Sequence, residues 1–420
     1  MIAAAPRPDP DRDSATMSAL DTTTEPACPA CERQGSFVFY EVRGVPVHHV
    51  KLVSSRAAAL TCPKGDIRLH FCHACSFIWN AAFDPARVSY DTDYESTQTV
   101  SPTFNRFHER LARSLIERFD LCGKKIVEIG CGQGEFILML AGLGGTRGHG
   151  FDPAVRGPAG DPRVRLVRDY YDERYSHLRP DFVCCKMTLE HIPDVARLLK
   201  SVRRTVADRP QAVVFFMVPE MTRILEHRAF WDIYYEHCSY FTPGALAHAF
   251  RHADFDPLEL WRDYDDHYLL IAARPGAGRA PALAGEQPAA ALAGTVEAFA
   301  ERALEDRRRW RGALAWLRAQ GRRVVLWGGG SKAVAFLSTL GISGEIDYVV
   351  DINPKRDGTF IAGTGQQIVL PAFLADYRPD VVVIMSPVYT EEIRAELARL
   401  GLAACRLLKV EAPPAALAAA

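Results

Sequence analysis

Residues 124–143 read KKIVEIGCGQGEFILMLAGL, the stretch with the clearest structural signal in the chain. A short strand-like run comes first, a turn with three glycines follows, and an apolar helical run completes the stretch. This order is typical of the first strand and helix of an open parallel sheet. Strand-like and helix-like runs alternate on both sides of it, between residues 104 and 275. The pattern therefore predicts an α/β domain with a Rossmann-like sheet.

Two aspartates end the next two predicted strands. Asp152, in GHGFDP, is placed where a carboxylate can accept from both hydroxyls of a ribose, and Asp169, in VRDYYD, where one can accept from an adenine amino group. A glycine-rich packing turn is the alternative. The pattern E-x-G-x-G-x-G with both acids nevertheless indicates binding of S-adenosylmethionine. The predicted cofactor-binding residues are Glu128, Gly130, Gly132, Gly134, Asp152 and Asp169.

Changes of composition divide the chain into segments. A second alternation of strands and helices, with RRVVLWGGG, SKAVAFLSTLG and IDYVVDINP, predicts a smaller Rossmann-like domain. A stretch rich in Pro, Gly and Ala precedes it and is typical of a linker. The predicted segments are a disordered tail (1–24), a β-rich cysteine module (25–90), the domain of the glycine turn (91–275), the linker (276–294), the second Rossmann-like domain (295–412) and a frayed end (412–420).

Four cysteines form two C-x-x-C pairs, Cys28 with Cys31 and Cys72 with Cys75. Four thiolates make the closed tetrahedral set that structural zinc prefers. The gap between the pairs is long for a zinc ribbon, so a small β insertion must bring them together. Four ordinary buried cysteines are the alternative. We predict a structural zinc ion without a role in chemistry.

The composition of the chain limits the classes of molecule that it is expected to bind. The chain has 420 residues with 48% hydrophobic and 24% charged residues and a formal net charge of -1. No apolar run has the roughly 18 residues that a membrane span requires. The near-zero charge and the lack of a basic, aromatic-interleaved patch weigh against nucleic acid. We expect a cytoplasmic enzyme that acts on a small molecule, without nucleic-acid or membrane partners.

Two clusters of reactive side chains follow the predicted cofactor turn. The first is TLEHIPD at 188–194 and the second is DIYYEHCSYF at 232–241. Methylating a carbon atom requires a base to remove a proton beside a carbonyl, and histidine has a suitable pKa. Hydroxyl or imidazole donors must then hold the developing oxyanion.

The order of these motifs resembles the nucleotide-sugar C-methyltransferases of deoxysugar pathways. The shared features are the cysteine pairs, EIGCGQG, LEHIPD, IYYEHCSYF and a final WGGGSK…VVDINPK domain, over about residues 25 to 410. The resemblance implies a class I methyltransferase domain with a zinc module before it and a domain after it that completes the substrate cleft. It implies His237 as the base, with Tyr234, Glu236 and His191 around the sugar. Tyr235 replaces a family histidine, and EIGCGQG replaces the more usual EIGxNxG, so the chain resembles a divergent subgroup of this family.

Several of these residues have a plainer interpretation. Tyr234 is alternatively a core aromatic, and His191 alternatively caps the helix that begins near Pro193. Lys332, in the turn that opens a helix of the second Rossmann-like domain, is predicted to contact a diphosphate but is alternatively a surface lysine. Tyr235 and Lys332 are the predicted substrate contacts.

The sequence thus predicts S-adenosylmethionine-dependent C-methylation of a nucleotide-activated ketosugar through a base-generated enolate. One alternative is O-methylation of a sugar or related small molecule, which needs a base but no enolate. The other is a zinc-containing scaffold that binds S-adenosylmethionine or a nucleotide without turnover. The clustered Tyr, Glu and His weigh against the scaffold, because a binder has no need of them.

Overall fold

The structure is a computed structural model that describes residues 26–91, 93–342 and 344–413. The predicted tail at 1–24 and the end of the chain from residue 414 lie outside these ranges. None of the helices in the described ranges combines the length and the apolar character that crossing a bilayer requires.

The described strands fall into an N-terminal group, a central group and a C-terminal group. In chain order they are β1 (Ser36–Pro46), β2 (Lys64–Cys72), β3 (Ile78–Asn80), β4 (Lys125–Ile129), β5 (Arg147–Phe151), β6 (Val164–Val167), β7 (Phe182–Lys186), β8 (Val213–Pro219), β9 (Ser239–Tyr240), β10 (Phe255–Asp263), β11 (Tyr268–Pro275), β12 (Val324–Trp327), β13 (Tyr348–Val350), β14 (Gln367–Val369), β15 (Val381–Ile384) and β16 (Arg406–Lys409).

The α-helices alternate with the strands of the central and C-terminal groups. They are α1 (Arg56–Leu60), α2 (Pro102–Arg118), α3 (Glu135–Gly144), α4 (Val195–Thr205), α5 (Met221–Glu226), α6 (Pro243–His252), α7 (Ala289–Ala319), α8 (Ser331–Leu340), α9 (Leu374–Tyr377) and α10 (Thr390–Arg399). Helix α7 begins inside the segment predicted as a linker. The alanines at 289–291 explain this difference, because alanine has the highest helix propensity and the chain there is not broken by proline.

The central sheet has seven strands in the order β10-β11-β8-β7-β4-β5-β6. Strands β4 to β8 pair in parallel, and the β10–β11 hairpin adds antiparallel to β8. The strand order turns back at β4, where ligands bind in open α/β sheets. The C-terminal sheet, in the order β14-β13-β12-β15-β16, is parallel throughout. The predicted fold class, two Rossmann-like sheets and a β-rich N-terminal module, is confirmed.

The N-terminal sheet includes one strand, β9, that comes from the middle of the chain. Its order is β1-β2-β3-β9, and β9 lies within the second reactive cluster of the sequence, residues 232–241. Trp79 on β3 pairs with Ser239 on β9. On its other side the same sheet packs on α7, where the rings of Phe39 and Tyr40 contact Phe299 at centroid distances of 6.1 and 5.2 Å. The N-terminal sheet therefore holds residues 232–241, called the reactive segment below, against both Rossmann-like units.

Candidate active site

The glycine turn after β4 is held tightly. Gly130 has φ +69°, and its N–H donates to the Phe151 carbonyl at 2.8 Å. A Cβ added at Gly130 would lie 1.8 Å from Thr188 Oγ1, so no other residue fits there without a backbone shift. Gly130 and Gly132 line a large cavity, but Gly134 does not. Gly134 is instead the N-cap residue of α3, with φ +90°, and faces Leu166.

Asp152 and Asp169 both lie on the wall of that cavity. Asp152 accepts from Gly132 N–H at 3.0 Å and from Ala154 N–H at 2.7 Å, and burial raises the pKa of its carboxyl. Asp169 accepts from the Tyr175 hydroxyl at 2.6 Å, and this bond lowers the pKa of Asp169. The two predicted acids therefore share one cavity with the glycine turn.

Glu128 is not on the cavity wall. Its buried carboxylate accepts from Ile137 N–H at 3.0 Å and lies 3.3 Å from Lys186 Nζ. Burial raises its pKa to about 6, against the lowering effect of Lys186. The predicted role of Glu128 as a cofactor contact therefore stays a prediction. The Glu128 carboxylate satisfies the Ile137 N–H group in the first turn of α3, which has no partner inside the helix, and so supports the helix that follows the glycine turn.

The cavity has a volume of about 710 Å³ and is bounded by all three parts of the chain. Its wall includes the glycine turn and both aspartates, side chains of the two reactive clusters, and the turn that opens α8. This volume lies within the range of small-molecule and cofactor sites.

His237 lies on the cavity wall and is 5% exposed. Its ring centroid is 4.0 Å from that of Tyr234 and 4.8 Å from that of His191, whose ring is perpendicular to it. Within the described ranges, His237 Nδ1 is buried without a hydrogen-bond partner. Burial lowers the pKa of His237 well below its usual value, and the neighbouring His191 and His49 lower it further. The imidazole is therefore neutral at pH 7.

His191 is held in place by a tyrosine that the sequence analysis missed. The Tyr90 hydroxyl lies 3.1 Å from His191 Nδ1, and burial lowers the pKa of His191. Helix α4 is capped by Asp194, whose side chain accepts from Arg197 N–H. His191 therefore does not cap that helix, and its ring lines the cavity instead.

Glu236 lies behind the wall rather than on it. Its carboxylate accepts from His49 N–H at 2.9 Å and lies 3.3 Å from His48 Nδ1. Burial alone would raise the pKa of Glu236, but hydrogen bonds from the side chains of His48 and His49 outweigh it and lower the pKa to about 2. Glu236 thus ties the reactive segment to the loop after β1. The role of Glu236 beside the sugar stays a prediction.

Glu190, a residue not singled out from the sequence, completes the reactive cluster. It is 1% exposed, and in the described part of the chain its Oε2 has no hydrogen-bond partner. One carboxylate oxygen of Glu190 and one ring nitrogen each of His191 and His237 lie within 4.8 Å of one another. Burial raises the pKa of Glu190 to about 8. In the sequence, the one indication that Glu190 belongs to the site was its position directly before His191.

The two predicted substrate contacts have different surroundings. Tyr235 is buried away from the cavity, and its hydroxyl accepts from Asp84 N–H at 2.9 Å. Its ring packs on Gly65, where an added Cβ would lie 2.3 Å away. The Tyr235 side chain is thus used in packing, and its predicted contact with the substrate stays a prediction. Lys332 lines the cavity and forms an ion pair with Asp232 at 2.9 Å.

The four cysteines predicted to bind zinc lie together. Cys28 Sγ is 3.7 Å from Cys75 Sγ, Cys31 Sγ is 3.7 Å from Cys72 Sγ, and all four sulfurs lie within 4.8 Å of one another. Four thiolates at about 2.3 Å from a tetrahedral zinc ion would be about 3.8 Å apart, so the cluster fits that ion. The antiparallel pairing of β1 and β2, with Ser36 opposite Cys72, explains how the long gap in sequence closes.

Two family profiles match the chain. The one described as "Methyltransferase domain" matches residues 104–260, and the one described as "C-methyltransferase C-terminal domain" matches residues 282–408. The chain is 27% identical over 303 residues to "C-methyltransferase NovU" of Streptomyces niveus, covering 68% of this chain and 71% of that one. It is 28% identical over 108 residues to the "Ubiquinone biosynthesis O-methyltransferase" of Neisseria meningitidis, covering 23% of this chain and 44% of the relative.

Among solved structures, the 1,6-didemethyltoxoflavin-N1-methyltransferase of Burkholderia thailandensis, with bound S-adenosylhomocysteine, aligns with a TM-score of 0.32 and 22% identity, over 40% of this chain and 78% of that one. The two matched profiles fall on the central and C-terminal sheets, with the cavity between them. The chain is therefore an S-adenosylmethionine-dependent methyltransferase of the class I fold, which joins a methyltransferase domain to the C-methyltransferase C-terminal domain.

Proposed function

We propose that this methyltransferase methylates a carbon atom of a nucleotide-activated ketosugar, with His237 as the general base. One observation carries the proposal: His237 is buried on the wall of the cavity that also contains the glycine turn, and its Nδ1 has no hydrogen-bond partner among the described residues. Burial also lowers the pKa of His237, which favours the neutral imidazole at pH 7. A neutral imidazole has the electron pair that proton abstraction requires.

In the proposed step, His237 takes the proton from the carbon beside the sugar carbonyl. The electron pair of that C–H bond forms the enolate, and its charge collects on the carbonyl oxygen. The enolate carbon then bonds to the methyl group, whose former bond to sulfur breaks and leaves its electron pair on sulfur. S-adenosylmethionine supplies this electrophilic methyl group when bound.

Tyr234 is the proposed hydrogen-bond donor to the enolate oxygen. It lines the cavity beside His237, and burial raises the pKa of its phenol well above the usual value. The phenol therefore keeps its proton at neutral pH and can donate it to a developing oxyanion. His191, fixed by Tyr90, is a second proposed donor from the same wall.

The proposed cofactor contacts are Asp152 for the ribose hydroxyls and Asp169 for the adenine amino group. Both acids lie on the cavity wall with Gly130 and Gly132, which supports this assignment. Glu128 is assigned to the support of the turn, as its contacts with α3 and Lys186 indicate.

The assignment of a sugar nucleotide as the substrate is supported by the family resemblance and by the position of the cavity. Both Rossmann-like units contribute residues to the wall of this cavity. Lys332 is the proposed cation for the diphosphate of the sugar nucleotide. The ion pair with Asp232 orients Lys332 on the wall and links α8 to the segment that contains Tyr234 and His237.

For the cysteine cluster we propose one structural zinc ion, held by Cys28, Cys31, Cys72 and Cys75. Four thiolates leave no open coordination position, so the ion contributes to stability and not to the reaction.

Mass spectrometry of the product tests the reaction. The protein is incubated with candidate 4-ketosugar and 3-ketosugar nucleotides and with S-adenosylmethionine that carries a labelled methyl group. We expect the label on carbon, and exchange of the substrate α-proton in deuterated buffer. Label on oxygen without α-proton exchange would replace the proposal by O-methylation. Cofactor binding without transfer to any ketosugar nucleotide would favour the scaffold. The variant His227→Ala is a matched control, because His227 is exposed and outside the cavity wall.

A further inference from the structure

The proposed reaction steps leave Glu190 without a role. Its side chain lies on the cavity wall, and the residue is 1% exposed. Oε2 is buried without a hydrogen-bond partner in the described part of the chain. Native structures rarely leave a buried polar atom unpaired, so we expect a partner for this oxygen during the reaction. The other acids of the two reactive clusters have partners of their own, namely the Arg197 N–H for Asp194, Lys332 for Asp232, and His48 and His49 for Glu236.

His237 offers the complementary atom. One ring nitrogen of His237 and one carboxyl oxygen of Glu190 lie within 4.8 Å of one another. Within the described ranges, Nδ1 of His237 is buried without a partner, whereas Nε2 is not closed off in this way. Because His237 lines the cavity, Nε2 is the nitrogen that a ligand can reach, and Nδ1 points into the protein.

The function of a base decides which nitrogen of His237 must carry the ring proton. A neutral imidazole has one N–H group and one lone pair. Nε2 needs the lone pair if it is to take a proton from a ligand, so the ring proton must be on Nδ1. The hydrogen bond that one ring nitrogen makes sets the tautomer of the whole ring. An acceptor beside the buried Nδ1–H would therefore keep His237 in the active tautomer, and Glu190 has an unpaired oxygen within reach.

The segments that contain the two residues are fastened side by side. Cys238 Sγ donates to the Glu190 carbonyl at 3.6 Å, and Ser239 Oγ donates to the Ile192 carbonyl at 2.8 Å. These contacts hold the backbone on either side of the pair. The carboxyl and the imidazole are not hydrogen-bonded without a ligand, and catalytic hydrogen bonds are often long in that state and tighten in the complex. Rotation about the side-chain torsions of Glu190 can close the gap.

We propose that Glu190 is a positioning residue for the base: a carboxyl oxygen of Glu190 accepts a hydrogen bond from His237 Nδ1–H and keeps the lone pair of Nε2 directed into the cavity. This inference rests on the proposed base and specifies what orients it. In the reaction, Nε2 takes the substrate proton and the ring becomes an imidazolium. The other proton stays on Nδ1, and its hydrogen bond to Glu190 strengthens because the donor is now charged. No proton moves to Glu190, and the proton on Nε2 passes to water when the product leaves.

NMR spectroscopy of the full chain, with heavy nitrogen in its histidines and with S-adenosylhomocysteine bound, tests the tautomer directly. Long-range proton–nitrogen correlations distinguish the protonated ring nitrogen from the one with the lone pair, and the signals of His237 are those absent from His237→Ala. At neutral pH we expect Nδ1–H in the unaltered protein. We expect Nε2–H in Glu190→Gln, because the amide NH₂ group donates to Nδ1. Glu226→Gln, at an exposed glutamate, is the matched control and should keep Nδ1–H.

Turnover supplies the second readout. In Glu190→Gln the Nε2 of His237 would have no lone pair for the substrate proton. We expect kcat for the ketosugar nucleotide to fall on the order of 10²–10⁴, the range for a removed general base, with KM and the affinity for S-adenosylmethionine nearly unchanged. Glu190→Asp keeps a carboxyl acceptor and should retain the Nδ1–H tautomer and part of kcat. A purely structural role of Glu190 would move KM or cofactor affinity and leave the tautomer as it is.

An Nε2–H tautomer of His237 in the unaltered protein would overturn the inference, and this result needs no variant of Glu190. An unchanged tautomer in a folded Glu190→Gln would overturn it as well. The NMR measurement involves no methyl transfer, so its result stands even if ketosugar nucleotides are not substrates. Conversely, full C-methylation by Glu190→Gln would leave the proposed reaction standing and remove the role of Glu190.

Discussion

The ring of His237 lies against the ring of Tyr234, with 4.0 Å between their centroids. The proposed base and the proposed oxyanion donor are therefore neighbours. We expect His237→Ala to keep its affinity for S-adenosylmethionine and to lose on the order of 10²–10⁴ in turnover, the range for removed general bases. Tyr234→Phe should lose less, because the phenol only stabilises the enolate oxygen. Turnover and calorimetry on both variants measure the difference.

Substrate α-proton exchange separates the two roles. In deuterated buffer, exchange should vanish in His237→Ala and persist in Tyr234→Phe. Near-native turnover of His237→Ala would place the base elsewhere, and His191 would be the next candidate.

The cysteine cluster predicts one zinc ion per chain, because four sulfurs within 4.8 Å of one another fit its tetrahedral shell. Metal analysis of the purified protein should find it, and Cys72→Ser should lose it and unfold more readily. Cys122→Ser is the control, since that cysteine is exposed and outside the cluster. A metal-free native protein whose four cysteines alkylate readily would contradict the assignment.

Asp152→Ala should weaken binding of S-adenosylmethionine by about 1.5–3 kcal/mol, because the hydrogen bonds of a charged acceptor disappear. Gly130→Val should weaken it more, since a side chain there would collide with Thr188. Calorimetry measures both. Unchanged affinity in Asp152→Ala would show that another group holds the ribose.

The features that could be predicted from the sequence were those whose defining residues lie close together along the chain. The glycine turn, Asp152 and the cysteine pairs are each contiguous in sequence with the element that positions them, and periodicity identified both Rossmann-like units. The β10–β11 hairpin was missed because its four-residue turn, 264–267, begins with Tyr264, Asp265 and Asp266, all with positive φ, instead of having the usual Asn-Gly or Asp-Gly pair.

The surroundings of the site residues depend on contacts between distant segments, which the sequence does not reveal. The loop with His48 and His49 reaches Glu236 only because β9 joins the N-terminal sheet. Residues 234–237 form a turn, in which His237 N–H donates to the Tyr234 carbonyl at 3.1 Å, and the first and last side chains of this turn lie on one side and the two middle ones on the other. Tyr234 and His237 therefore line the cavity, while Tyr235 and Glu236 contact the N-terminal module. The sequence of the motif alone does not show which of its side chains face the cavity and which face the N-terminal module.

Glu190 gives the stability of the fold a specific pH dependence. Burial raises its pKa from 4.5 to about 8 in the folded chain. Between these values the unfolded chain has lost this proton and the folded chain still holds it. Stability therefore falls as pH rises through this window, by at most about 1.4 kcal/mol per pH unit from this one group.

The variant Glu190→Gln keeps the shape and removes the titration. We expect its free energy of unfolding, minus that of the unaltered protein, to increase steadily from pH 5 to pH 8. His191 and His237 remain in both proteins, and their lowered pKa values act where pH falls below their usual range, so the subtraction cancels them to first order. Urea unfolding at several pH values measures the difference, with Glu226→Gln as an exposed control. A difference that stays constant with pH would mean that Glu190 is already ionised in the folded chain, and that a partner of Oε2 stabilises its charge.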